Sequence, residues 1–407
     1  MQTHLADWIK DTPQGREADA ILRACVHCGY CTATCPTYLL LGDELDGPRG
    51  RIYLIKQVLE GGPATAKTQL HLDRCLTCQS CETTCPSGVR YGRLLEIGRE
   101  VVDERVKRGV ASRALRALLR AGLTGRVFAP AYRLGQALRS FLPERVRQNL
   151  MPRQRPAEWP TGQHVRRVVM PEGCVQSAMS PNINAATARV LDRIGIEVVR
   201  PPGRSGCCGA VRQHLGDGPG ALEELRRNID AWWPAIEAGA EAIIMNASGC
   251  GVMVKDYGHL LRTDSRYAAK AARVSALARD VSEVLVPVAG ALAPRMTRRG
   301  ATRIVFHPPC TLQHGQKLPG IAEGLLRSLG VELLPFKEPH LCCGSAGTYS
   351  VLQSALAGRL RDRKLANLEA PRPDMILSAN IGCIAHLAAG TRTPVRHWIE
   401  WLDAALA

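Results

Sequence analysis

The sequence predicts an α+β multidomain chain: an all-helical N-terminal domain followed by two duplicated α/β units. Three observations predict it. Two four-cysteine runs lie 50 residues apart, in text whose apolar residues recur at helical spacing. Two further cysteine sets, each with a Cys-Cys-Gly signature, repeat at offsets of 136, 135 and 133 residues. Each of these sets sits among short strand-like and helix-like segments in alternation, the pattern of a layered α/β unit. At 407 residues and roughly 150 residues per domain, two or three domains fit. The expected limits are a helical domain at 1–110, a basic helical linker at 111–163, and α/β units at 164–300 and 301–407.

Composition excludes several classes. Hydrophobic residues make up 45% and charged residues 22%, so wholesale disorder is excluded. No apolar run approaches the ~18 residues of a membrane span. Met1 to Lys10 contains Asp7 and no apolar h-region, and does not read as a secretory signal. Without export, the 16 cysteines are not expected to form a disulfide framework, because cytosolic thiols stay reduced. Metal binding or redox chemistry is the expectation.

The helical domain carries the first eight cysteines. Asp19 to Cys25 leads into Cys25-x2-Cys28-x2-Cys31-x3-Cys35-Pro36. Gly50 to Leu59 has apolar residues at helical spacing. The second run is Cys75-x2-Cys78-x2-Cys81-x3-Cys85-Pro86, and Leu94 to Val106 continues as a helix. This is the bacterial ferredoxin spacing for [4Fe-4S] clusters. Three thiolates three residues apart on a tight loop can cap three irons of one cubane. The fourth sits further on, where a helix begins, points away, and ligates the other cluster. Cluster 1 is therefore expected on Cys25, Cys28, Cys31 and Cys85, and cluster 2 on Cys75, Cys78, Cys81 and Cys35. Gly29 suits a positive φ that turns loop N–H groups toward sulfide. Pro36 and Pro86 suit the first turn of a following helix. Paired C-x2-C is also a zinc-ribbon pattern, but two identical runs each closed by Pro argue for iron–sulfur. No Cys-x-x-Cys-His occurs, so covalent haem is not supported.

The linker carries the charge. The chain has a net charge of +16, and Arg105 to Arg155 holds 13 Lys+Arg against the single acid Glu144. Leu115, Leu118, Leu119 and Gly122 line one helical face, with Arg113, Arg116 and Arg120 largely on another. Such a helix suits a membrane surface, a partner's acidic face, or packing on a neighbouring domain. It lacks interleaved aromatics and a reading motif, which argues against nucleic acid. Pro143, Pro152, Pro156 and Pro160 then mark a loose connection.

The two α/β units come last. The first holds Cys174, Cys207-Cys208-Gly209 and Cys250; the second holds Cys310, Cys342-Cys343-Gly344 and Cys383. VRRVVM (165–170) and TRIVF (302–306) open them. LDRIGIEVV (191–199) answers LLRSLGVELL (325–334), and AIIMNASGC (242–250) answers MILSANIGC (375–383). The cysteines fall just after apolar strands, where open α/β sheets place ligand sites. These eight are candidates for an additional redox or metal site, with buried structural thiols as the alternative. His307 is either a ligand or a loop histidine without that role, and GDGPG (216–220) is too weak for a nucleotide site.

The arrangement resembles the iron–sulfur subunits of membrane-associated flavin dehydrogenases, with C-terminal halves similar to the cysteine-rich domains of heterodisulfide reductase. Within that group the strings RACVHCGYCTATCPTY (23–38), LLGDELDGPRGRIYLIKQVLEG (40–61), RCLTCQSCETTCPSGVRY (74–91), NIDAWWPAIEAGAEAI (228–243), HLCCGSAGTY (340–349) and VRHWIE (395–400) resemble the bacterial glycolate oxidase iron–sulfur subunit family. The resemblance implies two [4Fe-4S] clusters, flavin-containing partner subunits that oxidise glycolate to glyoxylate, and electron flow toward the respiratory chain. It implies a peripheral place at the cytoplasmic face of the inner membrane, against the membrane surface or a membrane electron acceptor. One departure stands out. Ala247 and Asn380 occupy the positions where heterodisulfide reductase halves can carry a fifth cysteine. A subunit for another flavin dehydrogenase, of glycerol 3-phosphate or lactate, and a thiol–disulfide reductase remain alternative readings. No flavin fold or acid–base site for a 2-hydroxy acid is evident, so substrate chemistry is expected on a partner.

Overall fold

The structure, a computed structural model, describes all residues except 126, 149, 155–156, 202–205, 298–302 and 407. Pro156, Thr302 and the expected limit at 300 lie outside the described residues. The chain divides into two units. One comprises Met1–Arg116 with His340–Leu360, the other Ala117–Pro339 with Arg361–Ala407.

The N-terminal part of the first unit is helical, as the spacing predicts. Its longer helices are Pro13–Ala24, Pro48–Leu59 and Tyr91–Arg105. Pro13 and Pro48 sit at helix starts, where a missing N–H costs nothing. Leu22, Ile55, Leu59, Leu94 and Leu95 are fully buried and form the centre of the core. A Cβ at Gly98 would lie 2.6 Å from Ile55 Cγ1, so the last two helices approach as closely as they do only because that position is glycine. Pro36 opens the helix Pro36–Leu41, as expected. Pro86 does not open one. Gly88 at φ +63° turns the chain, and the next helix waits until Tyr91.

The second unit holds both sheets. In the first half, β1 (Arg166–Val169), β2 (Ile196–Val199), β3 (Ala242–Met245) and β4 (Ala278–Asp280) pair in parallel in the order β2-β1-β3-β4. In the second half, β5 (Ile304–His307), β6 (Met375–Ser378) and β7 (Val395–His397) pair in parallel in that order. In the segment 325–334, which answers the one holding β2, the pairing is reduced to a single parallel bridge between Leu333 and Ile304, with Leu334 N–H donating to Ile304 O at 2.8 Å. Counting that bridge, the two sheets have the same order, as a duplication requires. One core joins them. Val168 and Ile244 from the first half and Phe306 and Leu377 from the second belong to the same buried cluster. Arg189 and Arg193 also clamp Asp403, at 2.5 and 2.6 Å.

The basic segment forms the helix Val110–Thr124, none of whose residues is buried. Leu118 is 67% and Leu115 38% exposed. Part of its charge is neutralised locally. Arg116 pairs with Asp73 at 3.2 Å, and Arg108 pairs with Asp73 and Asp103. No helix among the described residues is long and apolar enough to cross a membrane.

Candidate metal centres

Each cysteine run folds into a loop with the same backbone signature. His27 and Gly29 have φ of +57° and +88°, and Thr77 and Gln79, fifty residues on, have +53° and +58°. Left-handed residues alternating along a loop turn successive N–H groups to one side, a concavity that suits anions such as thiolate and sulfide. The second run accepts this geometry without glycine, at some cost in strain.

The thiols gather in two cavities. Cys25, Cys28, Cys31 and Cys85 line one, whose wall includes Ile52, Val89 and a further contribution from Cys81. Cys35, Cys75, Cys78 and Cys81 line the other. The fourth cysteine of each run thus lies among the first three of the other. Burial, then Cys25, pushes the Cys31 thiol up to about 11. Burial, then Cys78, Cys75 and Cys35, pushes Cys81 well up. Four thiolates crowded in an apolar wall repel one another unless a cationic core lies between them, so the donor set fits an iron–sulfur cluster. The two cavities differ in exposure. Cys28 is exposed, flanked by Val26 and Tyr30 at 67% and 64% exposed, whereas Cys35, Cys78 and Cys81 are buried.

The second cavity has a feature the spacing did not reveal. Arg51, fully buried, lines it with Thr37 and Tyr91. Arg51 Nε donates to His71 O at 2.7 Å, and both terminal nitrogens reach Thr37 Oγ1 at 3.2 Å. Thr37 Oγ1 lies 3.3 Å from Cys35 Sγ. The buried carboxylate of Asp46 meets Arg74 at 2.8 Å, His71 at 3.1 Å and Arg51 at 3.5 Å. Burial alone would lower the Arg51 pKa; Tyr91, Cys75, Cys35 and Asp46 outweigh it and hold the guanidinium charged. The sequence signal was a lone arginine among Ile52, Ile55, Val58 and Leu59 on the buried face of its helix.

In the second unit, Cys174, Cys207, Cys208 and Cys250 come together. Hydrogen bonds from the Cys174 and Cys208 thiols hold Cys207 down, and the two donors are themselves pushed up. Asn228 Nδ2 donates to Cys207 O at 2.8 Å and Tyr257 Oη to Cys208 O at 3.0 Å, so the pair's backbone is clamped. Gly209 and Gly344 follow the two pairs at φ +95° and +90°, and a Cβ there would lie 2.5 Å from Leu225 Cδ1 and 2.6 Å from Ala357 O. This explains why glycine follows both pairs. Cys342 and Cys343 are buried in the first unit, where Tyr349 Oη donates to Arg74 O at 3.2 Å. Cys310 and Cys383 are buried in the second unit. Asn380, where a fifth cysteine could stand, donates to Cys383 Sγ at 3.6 Å and accepts from Gly249 N–H at 3.3 Å. His307 is not a loop residue. It ends β5, buried, with Nδ1 3.1 Å from Ser378 Oγ.

Comparison with known proteins agrees with this arrangement. The 4Fe-4S dicluster domain family matches residues 24–90. The cysteine-rich domain family matches twice, at 168–255 and 304–388. The glycolate oxidase iron–sulfur subunit of Escherichia coli is 56% identical, over 100% of this chain and 99% of that protein. The chain belongs to the glycolate oxidase iron–sulfur subunit family. A probable member from Bacillus subtilis is 31% identical over 94% of this chain and 92% of its own length. Lactate utilization protein A of Bacillus licheniformis is 28% identical over 53% of this chain and 87% of its own length. Like other members, the chain is an iron–sulfur protein with a 4Fe-4S dicluster domain and two cysteine-rich units.

Proposed function

We propose that this chain is the iron–sulfur electron-transfer subunit of a glycolate oxidase complex. A flavin-containing partner oxidises glycolate to glyoxylate, and this chain accepts the electrons and passes them toward the respiratory chain. One observation carries the reading: two four-thiol cavities with crossed membership, in a chain similar over its full length to a glycolate oxidase iron–sulfur subunit. Cys25, Cys28, Cys31 and Cys85 are the ligands of one [4Fe-4S] cluster; Cys75, Cys78, Cys81 and Cys35 are those of the other. The bound clusters supply one-electron steps, which let a two-electron flavin feed single-electron carriers.

The chain's own residues do the rest. The eight thiolates hold the iron, the left-handed turns aim N–H groups at sulfur, and apolar walls keep water out. Exposure of Cys28 between Val26 and Tyr30 suits the first cavity to face a redox partner, and burial suits the second to an internal relay. Cys174, Cys207, Cys208 and Cys250, and Cys310, Cys342, Cys343 and Cys383, are candidates for a further redox or metal site. The gathering of the first four supports this for the first half. The family matches fall inside the limits at 110, 163 and 300, although the two compact units divide the chain at Arg116 and set His340–Leu360 with the first. The reading includes peripheral attachment at the cytoplasmic face of the inner membrane, close to the final acceptor. Its support is the exposed basic helix Val110–Thr124.

The test is co-purification of the complex and assay of its dehydrogenase activity with glycolate, lactate and glycerol 3-phosphate. Glycolate is expected to be the preferred substrate. Preference for lactate or glycerol 3-phosphate would assign the chain to another flavin dehydrogenase, and disulfide turnover by this chain alone would make it a thiol–disulfide reductase.

A further inference from the structure

The two cavities are related by the 50-residue repeat, but their surroundings are not equivalent. The first run is followed by Arg51 on the helix Pro48–Leu59. Fifty residues later the helix Tyr91–Arg105 carries Val101, 4% exposed. A buried cation on one side thus answers a buried methyl pair on the other. The charge near the first cavity is of a different kind. Arg49 approaches His27 O at 3.5 Å, is about a third exposed, and is paired with Glu44 at 2.6 Å. Solvent and its partner screen that charge. Arg51 is 1% exposed at its side chain and is screened little.

Thr37 holds Arg51 in place. Two guanidinium N–H groups point at Thr37 Oγ1, and that hydroxyl is 3.3 Å from Cys35 Sγ. The Thr37 hydroxyl hydrogen is given to Asp46 O at 2.8 Å, so Thr37 anchors the guanidinium beside Cys35 rather than donating to its sulfur. A nearby buried cation stabilises the reduced, more negative cluster. Asp46 offsets part of the charge, but Arg74 also meets it, so the group of Arg51, Arg74 and Asp46 keeps one positive charge in excess.

We propose that Arg51, held beside Cys35 by Thr37, raises the reduction potential of the cluster on Cys35, Cys75, Cys78 and Cys81 above that of its neighbour. Electrons arriving at the exposed cavity then run downhill to the buried one. The inference rests on the ligand sets proposed above.

The experiment is a potentiometric titration followed by EPR on the intact complex, for the native protein, Arg51→Gln and Arg51→Lys. Cys35→Ala identifies which signal belongs to the second cavity. In Arg51→Gln that signal is expected to move to lower potential by at least tenfold in the reduction equilibrium, which is 59 mV for one electron. The other signal should move less, and Arg51→Lys should move the first less than Arg51→Gln does. An unshifted second-cavity signal, or equal shifts of both signals, would overturn the proposal. Should Arg51→Gln lose its cluster, Thr37→Val carries the test. A shift of the same sign supports the pairing, and an unchanged potential overturns it. Iron content separates this inference from the one beneath it. A native protein with fewer than about eight irons contradicts the ligand sets, whereas about eight irons with unmoved potentials contradicts only the role of Arg51.

Discussion

Cys35 Sγ lines the second cavity with Cys75, Cys78 and Cys81. Cys35→Ala is therefore expected to perturb chiefly the cluster of the second run, read by EPR; loss confined to the first run's signal would contradict the crossed assignment. Gly209 is held by shape alone. Its φ of +95° and the 2.5 Å approach of Leu225 Cδ1 leave an added methyl both strained and crowded. Gly209→Ala should cost about 1–3 kcal/mol for the backbone alone, measured by denaturant unfolding. His397 is fully buried, with Nε2 donating to Asn246 O at 2.8 Å and Nδ1 accepting from Ile399 N–H at 3.2 Å. Acceptance at Nδ1 needs the neutral ring, and burial lowers its pKa to about 4. The unfolded chain takes up a proton near pH 6.5 that the folded chain refuses until about 4, so this stability is present above 6.5 and lost as pH falls through that window. Going from pH 7 to pH 5 should remove about 2 kcal/mol, and chemical unfolding of His397→Gln should show a smaller pH dependence.

The cysteine runs were legible because ligand spacing is a local property. Four thiols, their intervals and the closing Pro all lie within a dozen residues, and crossed membership follows from where the fourth points. The repeat of the α/β halves was legible for the same reason, since matching text implies matching strands. What stayed hidden depends on distance in sequence. Arg51, Asp46, His71 and Arg74 meet only in the folded unit, and nothing in their spacing announces it. β4, Ala278–Asp280, is three residues long with the exposed Arg279 at its centre, too short and too polar to read as a strand. The counterpart of β2 within 325–334 narrows to one bridge at Leu333, which apolar composition alone could not foretell. The basic helix Val110–Thr124 was read as amphipathic, and it is, but its leucine face is partly exposed. If it docks on an anionic membrane, vesicle co-sedimentation should be strong at low salt and fall steeply as salt rises. Attachment insensitive to salt would assign the contact to a partner subunit or to another surface.

At the scale of the whole molecule, the net charge and the cysteines divide along the chain. Thirteen basic residues against one acid between Arg105 and Arg155 supply most of the +16. Eight cysteines line the two cavities of the first unit; the other eight belong to the paired α/β halves. The halves share one hydrophobic core, so their strands are built to hold position rather than to move separately. Such a molecule has the parts of an electron relay. The most direct test of that account is anaerobic addition of glycolate to the purified complex, followed by EPR of the iron–sulfur signals. The account predicts that glycolate alone reduces the clusters of this chain, and that Cys35→Ala alters the second cavity's signal. Clusters that dithionite reduces but glycolate leaves oxidised, in a complex that still turns glycolate over with an artificial acceptor, would contradict it.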